Sequence, residues 1–216
     1  MIITIDGPAG VGKSTVAQLL AKSLGFEFLN TGAMYRCAAL ASLEANIPIE
    51  QADKIVEHVK TLRFEQQGAK ILLSGRDVTA RIRESDVTKL VSPIASIIPL
   101  RLVLIDWQKE FANGRNIVTE GRDQGSVVFT NAECKIFLTA SPEIRARRRT
   151  DELIAKGQQA DYTQILQDQI ERDQLDANRP FGALRPAEDS VVVQSDNLPI
   201  EAVLELLLQI AHSKMP

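Results

Sequence analysis

A glycine-rich segment near the start of the chain constrains the fold more than any other feature. The segment GPAGVGKS, from Gly7 to Ser14, fits the pattern G-x-x-x-x-G-K-[ST]. It follows the apolar run IITI (2–5) and precedes STVAQLLAKSLG, in which apolar residues recur at helical spacing. A glycine-rich turn that joins a strand to a helix is typical of a phosphate-binding loop. The alternative is an ordinary strand–helix turn that carries a surface lysine.

The residue types of this loop suit the phosphates of a nucleotide. Its backbone N–H groups would surround phosphate oxygens, and the N-terminus of the helix adds a partial positive charge. Lys13 would reach the β- and γ-phosphates, and the hydroxyl of Ser14 would contact Mg²⁺. The residues expected to bind ATP are Gly7, Pro8, Ala9, Gly10, Val11, Gly12, Lys13, Ser14 and Thr15.

Short apolar runs alternate with helical patterns along most of the chain, which predicts an α/β fold with a parallel sheet. Core strands are expected at residues 2–5, 26–29, 116–120, 135–140 and 190–195. The run LVLID (102–106) ends in an acid, as a metal-holding strand can. However, Leu100, Leu104 and Trp107 follow helical spacing, so a helix is expected there.

Residues 60–85 depart from this alternation. They contain short β-prone runs with turn signals at Gly68 and Gly75, which indicate a small antiparallel insertion. The tripeptide Gly-Arg-Asp occurs here at 75–77 and again at 121–123. We interpret the first copy as a polar connection between short strands. The second copy follows a core strand, where parallel sheets bind their ligands.

The charge and cysteine content excludes several classes of protein. A net charge of −3 over 216 residues argues against a general binder of nucleic acid or of membrane surfaces. Cys37 and Cys134 form no CxxC pair, so a structural zinc site is not expected and the chain is interpreted as reduced and cytoplasmic. No apolar run approaches the ~18 residues that span a bilayer.

Several arginines point to a small kinase rather than to another protein with a phosphate loop. A guanine-reading NKxD motif is absent, and a motor would need a larger coupling apparatus. Ser141 can cap a helix that places Arg145, Arg148 and Arg149 on one face. With a turn near Gly157 and a second helix, this segment resembles a lid that closes over ATP. The alternative is a solvated basic helix.

A second charged motif is ERDQLDANR (171–179). Arg172, Asp176 and Arg179 lie at i, i+4 and i+7, which predicts one helical stripe that ends at Pro180. On an exposed face the stripe would be an ordinary salt-bridge ladder. In a cleft it would supply a carboxylate for sugar hydroxyls and guanidinium groups for phosphate. Spacing alone does not separate these two interpretations.

Five motifs, taken in order, resemble the bacterial-type cytidylate kinases of the nucleoside monophosphate (NMP) kinase superfamily. They are IDGPAGVGKST, LNTGAMYR, EGRDQGSVVF, KIFLTAS and ERDQLDANR. The resemblance covers essentially the whole chain. It implies transfer of the γ-phosphoryl group of ATP to CMP or dCMP, with Mg²⁺, in pyrimidine nucleotide metabolism. The implied fold is a three-layer P-loop kinase core (1–59 and 86–216) with a five-stranded parallel sheet, a helical lid (about 145–165) and a β-rich NMP-binding insertion (60–85).

The resemblance also assigns roles to individual residues. Arg36, Arg122 and Arg179 would contact the CMP phosphate; Ser92, Arg101 and Asp123 would read cytosine; Arg172 and Asp176 would contact the ribose. The full set implied to bind CMP is Thr31, Tyr35, Arg36, Ser92, Arg101, Arg122, Asp123, Arg172, Asp176 and Arg179. The set expected to act in catalysis is Lys13, Arg122, Arg145 and Arg148. One departure is Asn30, where the family more often has Asp.

The chemistry of cytosine agrees with this assignment. A carboxylate such as Asp123 accepts from the exocyclic amino group, and an arginine such as Arg101 donates to the ring acceptors. Uracil would present a carbonyl to Asp123, a mismatch of about 1–3 kcal/mol. No general base is needed, because the acceptor phosphate is largely ionised near neutral pH. His58 and His212 are accordingly expected on surface helices.

Two alternatives stay open at this point. One is another small P-loop kinase, acting on UMP, AMP or shikimate; a pocket for AMP or shikimate would have no use for the Arg101 and Asp123 pair. A non-catalytic ATP-binding module would need no lid arginines. The expected partners are CMP, dCMP and ATP, with no nucleic acid and no membrane, and the expected assembly is a monomer.

Overall fold

The computed structural model describes residues 1–215 and contains two compact units. One unit comprises Met1–Phe28 together with the chain from Asn116 onward, and the other comprises Leu29–Arg115. The strands are β1 (Ile2–Asp6), β2 (Glu27–Asn30), β3 (Phe64–Gln67), β4 (Lys70–Leu73), β5 (Arg76–Asp77), β6 (Ile117–Gly121), β7 (Cys134–Thr139) and β8 (Val191–Gln194). The helices are α1 (Lys13–Leu24), α2 (Thr31–Glu44), α3 (Ala52–Lys60), α4 (Ser85–Ala95), α5 (Ile98–Ala112), α6 (Pro142–Ala155), α7 (Tyr162–Ala177) and α8 (Ile200–His212).

The larger sheet has five parallel strands, as predicted. The strand order is β2-β6-β1-β7-β8, so β1 is central and pairs in parallel with both β6 and β7. Ile3 and Ile5 of β1 are fully buried, and they share a core cluster with Val16 and Leu20 of α1 and Leu207 of α8. A central parallel strand is covered on both faces, which explains its nearly continuous apolar sequence. The charged exception is Asp6, at the carboxyl end of β1.

The second unit contains a three-stranded antiparallel sheet and the helices α2–α5. In this sheet β4 pairs with both β3 and β5. Gly68 (φ +60°) and Gly75 (φ +81°) occupy the predicted turns. Both have left-handed conformations, which glycine adopts more readily than other residues. Arg76 and Asp77 form the short strand β5 itself, and Arg76 makes an ion pair with Glu44. The small antiparallel sheet is thus confirmed, whereas the limits 60–85 for an NMP-binding insertion stay a prediction.

Two local expectations need correction. Helix α7 ends at Ala177, so Arg179 lies beyond the helix rather than on its stripe; the residue before Pro180 is disfavoured in the helical region. Ser141 does precede α6, with Pro142 in its first turn. Among the described residues, however, the hydroxyl of Ser141 makes no capping hydrogen bond. The backbone N–H of Ser141 instead donates to Oδ1 of Asp196, at 2.6 Å.

The apolar run that ends at Asp106 is helical, as predicted, because it lies within α5. Within residues 1–215 no single helix combines the length and the apolar character needed to cross a membrane. Helices α4 and α5 are long and apolar enough only when they are taken together, and the chain bends by 103° between them.

Substitution of Gly7 tests how tightly the phosphate-binding loop packs on the sheet. A Cβ atom at Gly7 would lie 1.9 Å from the backbone oxygen of Leu138 on β7, so the loop or β7 must move. Gly7→Ala should therefore lower the free energy of unfolding by about 3 kcal/mol or more, as measured by urea denaturation without nucleotide. Gly25→Ala is the matched control. Gly25 also has a positive φ (+68°), but open space surrounds its Cβ position, so a loss of only about 1–2 kcal/mol is expected. Equal losses in the two variants would contradict the close packing.

Candidate functional site

The glycine-rich loop of the first unit adopts the geometry of a phosphate cradle. It joins the central strand β1 to α1, and Gly10 (φ +76°) and Gly12 (φ +94°) take left-handed conformations that other residues adopt only with strain. Gly12 occupies the N-cap position of α1. The N–H groups at the start of α1 lack intrahelical partners, so a helix N-terminus of this kind attracts anions.

Lys13 folds back over this loop. Its Nζ donates hydrogen bonds to the backbone oxygens of Gly7 (2.8 Å) and Pro8 (2.7 Å), and the side chain is buried. Burial lowers the pKa of Lys13 to about 7, and the positive charge of Arg122 adds to this effect; Glu120 and Asp6 oppose it. A lysine held in this way gains a strong electrostatic partner when a phosphate enters the cradle.

Ser14 is paired with a carboxylate that the sequence analysis did not single out. Its Oγ donates to Oε1 of Glu120 at 2.9 Å, and Glu120 is buried at the end of β6. The only sequence signal was the position of Glu120 at the carboxyl end of a core strand. Oxygen atoms of this kind suit Mg²⁺, which prefers hard ligands and takes few of them from the protein.

Asp6 is a second functional candidate that the sequence analysis missed. Its carboxylate accepts hydrogen bonds from the backbone N–H groups of Gln124 and Gly125, both at 2.8 Å. These two residues begin a π-helical turn, Gln124–Val128, which follows Arg122 and Asp123. Burial raises the pKa of Asp6 to about 6, although the two N–H donors act in the opposite direction.

Gly121 begins the same turn region, and the structure shows why a glycine stands there. A Cβ at this position would lie 2.7 Å from Cγ of Gln124. The side chain of Gln124 is buried and accepts a hydrogen bond from Thr119, so it cannot easily move aside. Position 121 therefore requires a glycine because the turn packs closely against β6.

The arginines of α6 divide into two groups. Arg145 is buried, donates from Nη1 to the backbone oxygen of Ala9 at 2.9 Å, and pairs with Asp173 at 2.6 Å. Arg148 donates from Nη2 to the backbone oxygen of Ser195 at 2.6 Å. In contrast, Arg149 is exposed and pairs with Glu152 on the same helix. By their spacing within α6 the three arginines share one face, but they differ in exposure: Arg145 is buried, whereas Arg149 is exposed.

A cavity of about 300 Å³ lies beside the phosphate-binding loop. Its lining is mostly apolar, with the Arg148 guanidinium as the charged group. The lining residues are Val11, Gly12, Val16, Leu138, Arg148, Ser195, Leu198, Pro199, Ile200 and Val203. They come from four separate parts of the chain, so no local sequence pattern could reveal the cavity.

The motif ERDQLDANR forms a compact ionic cluster instead of an exposed ladder. Asp176 is buried, its Oδ2 accepts from Nε of Arg122 at 2.7 Å, and its Oδ1 pairs with Nη2 of Arg179 at 2.6 Å. Arg172 is exposed on α7, close enough to Lys13 to help lower its pKa. Asp123 is buried beside the turn that Asp6 anchors. The first unit thus brings together Lys13, Arg122, Arg145, Arg148, Arg172, Asp176 and Arg179 with the phosphate-binding loop.

The second unit holds the other predicted site residues. Arg101 of α5 is buried; its guanidinium lies 5.6 Å from the ring centre of Tyr35 and donates to the backbone oxygen of Ala95 at 3.3 Å. Arg36 of α2 contacts the region around α4. Its Nη1 donates to the backbone oxygen of Ile82 (3.1 Å) and to the hydroxyl of Thr88 (2.7 Å).

Three more of these residues lie on or beside α2 and α4. Thr31 is the buried first residue of α2, and Ser92 is half-buried on α4. Asn30 caps α2, because its Oδ1 accepts from the backbone N–H of Ala33 at 3.0 Å. Since Asp caps helices about as well as Asn, this contact does not depend on the missing charge.

Comparison with known proteins identifies the family of this chain over nearly its whole length. A family model described as cytidylate kinase matches residues 3–213. A cytidylate kinase from Carboxydothermus hydrogenoformans is 44% identical over 99% of this chain and 98% of that protein, and one from Vibrio cholerae is 42% identical over 99% and 97%. The solved structure of a shikimate kinase from Bacteroides thetaiotaomicron covers 98% of both chains with a TM-score of 0.50 and 14% identity, and it supports the P-loop kinase fold alone. The chain therefore belongs to the cytidylate kinase family.

Proposed function

We propose that this protein is a cytidylate kinase, which transfers the γ-phosphoryl group of ATP to CMP or dCMP and releases ADP with CDP or dCDP. The observation that carries this proposal is the match to the family model over residues 3–213. The phosphate cradle, the buried lysine and the surrounding arginines agree with phosphoryl transfer. We further propose that the protein acts in the cytoplasm as a monomer, without nucleic acid or membrane partners.

The phosphate-binding loop and the cavity beside it provide a place for the donor nucleotide. The N–H groups of the loop and Lys13 would bind the β- and γ-phosphates. The base would enter the mostly apolar cavity, whose volume suits a purine, with the Arg148 guanidinium available for stacking. Residues 7–15 would thus bind ATP as the sequence predicted.

Ser14 is the residue proposed to hold Mg²⁺. Residues 1–215 contain no cluster of three or more His, Cys, Asp or Glu side chains that could hold a metal ion alone. The proposed site consists of the Ser14 hydroxyl, which contacts Mg²⁺ in phosphate-binding loops of this pattern, together with the nucleotide phosphates and water. Glu120 would orient the Ser14 hydroxyl through their 2.9 Å hydrogen bond. When bound, Mg²⁺ would neutralise charge on the phosphates.

The chain's own cations would stabilise the transferring group. Phosphoryl transfer needs positioning and electrostatic stabilisation more than covalent help from the protein. Lys13, Arg122, Arg145 and Arg148 surround the loop and would neutralise the charge that spreads over the equatorial oxygens. Because the acceptor phosphate is already ionised near neutral pH, no base has to remove a proton.

Recognition of the acceptor would depend on buried and half-buried polar side chains. Arg101 and Ser92 would bind the ring acceptors of cytosine, Asp123 its amino group, and Arg36 the phosphate. Tyr35 would support this role by packing its ring beside the Arg101 guanidinium. A buried arginine loses much of its hydration, so an acceptor that leaves Arg101 unpaired is strongly disfavoured.

An acceptor panel tests the proposed activity. With ATP and Mg²⁺, a coupled ADP-release assay should show the highest kcat/KM for CMP or dCMP, lower values for UMP, and little turnover with AMP, GMP or shikimate. The discrimination against UMP is expected to be about 10- to 100-fold, from one reversed hydrogen bond. Fastest turnover with AMP or GMP would overturn the assignment. Binding of ATP without turnover of any acceptor would favour a non-catalytic module.

The variant Arg101→Met tests the reading of cytosine. It should lower kcat/KM for CMP by about 30- to 100-fold, because a charge-assisted hydrogen bond is lost, while the KM for ATP stays unchanged. Arg115→Met is the matched control, since Arg115 also packs on an aromatic ring, that of Phe111 at 4.7 Å, but is exposed. An unchanged rate with CMP in Arg101→Met would remove Arg101 from the base-reading site.

The depressed pKa of Lys13 predicts proton uptake when ATP binds. At about pH 8 a lysine with a pKa of about 7 is mostly neutral, and the arriving phosphates raise its pKa. Binding should therefore take up about 0.5–1 proton per ATP at that pH and almost none near pH 6, and ATP affinity should fall as the pH rises above about 7. Calorimetry in two buffers with different ionisation enthalpies measures this uptake. Lys13→Met serves as the control without the titrating group, and equal binding heats in both buffers for the wild type would refute the prediction.

A further inference from the structure

We propose that Thr88 is a positioning residue that, together with the backbone oxygen of Ile82, fixes the guanidinium of Arg36 for contact with the acceptor phosphate. This inference rests on the proposed cytidylate kinase activity, in which Arg36 contacts the phosphate of CMP. It adds a residue that neither the sequence motifs nor their spacing singled out.

Arg36 is anchored through one of its nitrogen atoms. Nη1 donates one hydrogen bond to the backbone oxygen of Ile82 at 3.1 Å and another to Oγ1 of Thr88 at 2.7 Å. A terminal guanidinium nitrogen carries two N–H groups, so these bonds use both of them. Nε and Nη2 then keep the side-by-side N–H groups that match two phosphate oxygens. The anchoring therefore leaves the edge of the guanidinium that suits phosphate.

The hydroxyl of Thr88 is oriented to accept this hydrogen bond. Its Oγ1 donates its own proton to the backbone oxygen of Glu84, the residue before α4, at 2.9 Å. The lone pairs of Oγ1 thus remain for an N–H of Arg36. The backbone N–H of Thr88 donates to the same oxygen of Glu84 at 3.0 Å. The first turn of α4 therefore holds Thr88 in place as an acceptor.

The second acceptor belongs to the segment directly before α4. Ile82 lies in the 3₁₀ turn Arg81–Arg83, its side chain is buried, and its backbone N–H donates to the oxygen of Val78 at 3.0 Å. Both acceptors thus come from one short stretch of chain, residues 82–88. Fixing a long arginine side chain costs conformational entropy. Here that cost is met on folding and not on phosphate binding.

The two acceptors orient Arg36 without neutralising its charge, because both are neutral groups. Partial burial lowers the pKa of Arg36, and the positive charge of Arg83 acts in the same direction. The charged form is therefore less stable here than in water until an anion arrives. Arg122 and Arg145 differ from Arg36 in this respect, since each pairs with a carboxylate. An incoming phosphate would supply the charged partner of Arg36.

The variant Thr88→Val tests the inference, because it removes the hydroxyl and keeps the shape of the side chain. In a coupled ADP-release assay, kcat/KM for CMP should fall by about 5- to 20-fold, while the KM for ATP stays within about twofold of the wild-type value. The loss should be the same, within about twofold, for CMP, dCMP and UMP, because all three share the phosphate. Thr88→Ser keeps the hydroxyl and should retain nearly the wild-type rates.

Two outcomes of this experiment would overturn the inference. One is an unchanged kcat/KM for CMP in Thr88→Val. The other is a loss that differs between CMP and UMP by much more than twofold. Such a difference would mean that the hydroxyl acts on base recognition, through Ser92 one turn further along α4, and not on the phosphate.

A double-mutant cycle separates positioning of Arg36 from general support of the fold. Arg36→Met removes the guanidinium, so adding Thr88→Val to it should lower kcat/KM by less than about twofold more. Losses that simply multiply would contradict the inference, because the hydroxyl would then act independently of Arg36. If turnover by Arg36→Met is too slow to measure, calorimetric titration with CMP gives the same cycle from dissociation constants.

Thr61→Val is the matched control for loss of a threonine hydroxyl. Thr61 is exposed in the same unit, and its hydroxyl also donates to a backbone oxygen, that of His58 at 2.7 Å. Its replacement should leave kcat/KM for all three acceptors unchanged. Failure of the wild type to phosphorylate CMP and dCMP would instead contradict the proposed function itself.

Discussion

The carboxylate of Asp6 is the contact on which the geometry of the first unit depends most. It stands at the end of the central strand, directly before the phosphate-binding loop, and it accepts two backbone hydrogen bonds from the turn after β6. That turn follows Arg122 and Asp123, the residues proposed to contact CMP. One buried side chain therefore links the part of the chain that would bind the donor to a part that would bind the acceptor. Burial of a carboxylate is costly, and two N–H donors offset much of that cost.

The other charged side chains around the loop are likewise compensated by hydrogen-bonding or ionic partners. Lys13, Arg145 and Arg148 each donate to backbone oxygens, and Asp176 pairs with two arginines. Without a phosphate, every one of these cations needs an oxygen partner, because an unpaired buried charge would be unstable. Binding of the nucleotides would replace some of these oxygens with phosphate oxygens. The site is thus held in shape by the same type of contact that it is proposed to make with its substrates.

Much of the fold could be predicted because its signals are local. The glycine spacing of the loop, the apolar strands and the helical periodicity of α5 each depend on neighbouring residues. The error at Arg179 also has a local cause. Helix α7 ends at Ala177, and the residue before Pro180 is disfavoured in the helical region, so the charge spacing was extended beyond what the backbone allowed. The exposure of Arg149, by contrast, depends on what packs against α6, which spacing alone does not give.

The sequence by itself determined that this chain contains a phosphate-binding loop in an α/β fold, with a small antiparallel sheet and a set of motifs typical of one kinase family. Those features follow from residue types at fixed spacing. Only the tertiary structure decided which charges are paired. Asp6 meets Gln124, Ser14 meets Glu120 and Asp176 meets Arg122 across separations of 118, 106 and 54 residues. The physical reason is that burial and proximity control pairing and pKa, and both arise only when distant segments fold together.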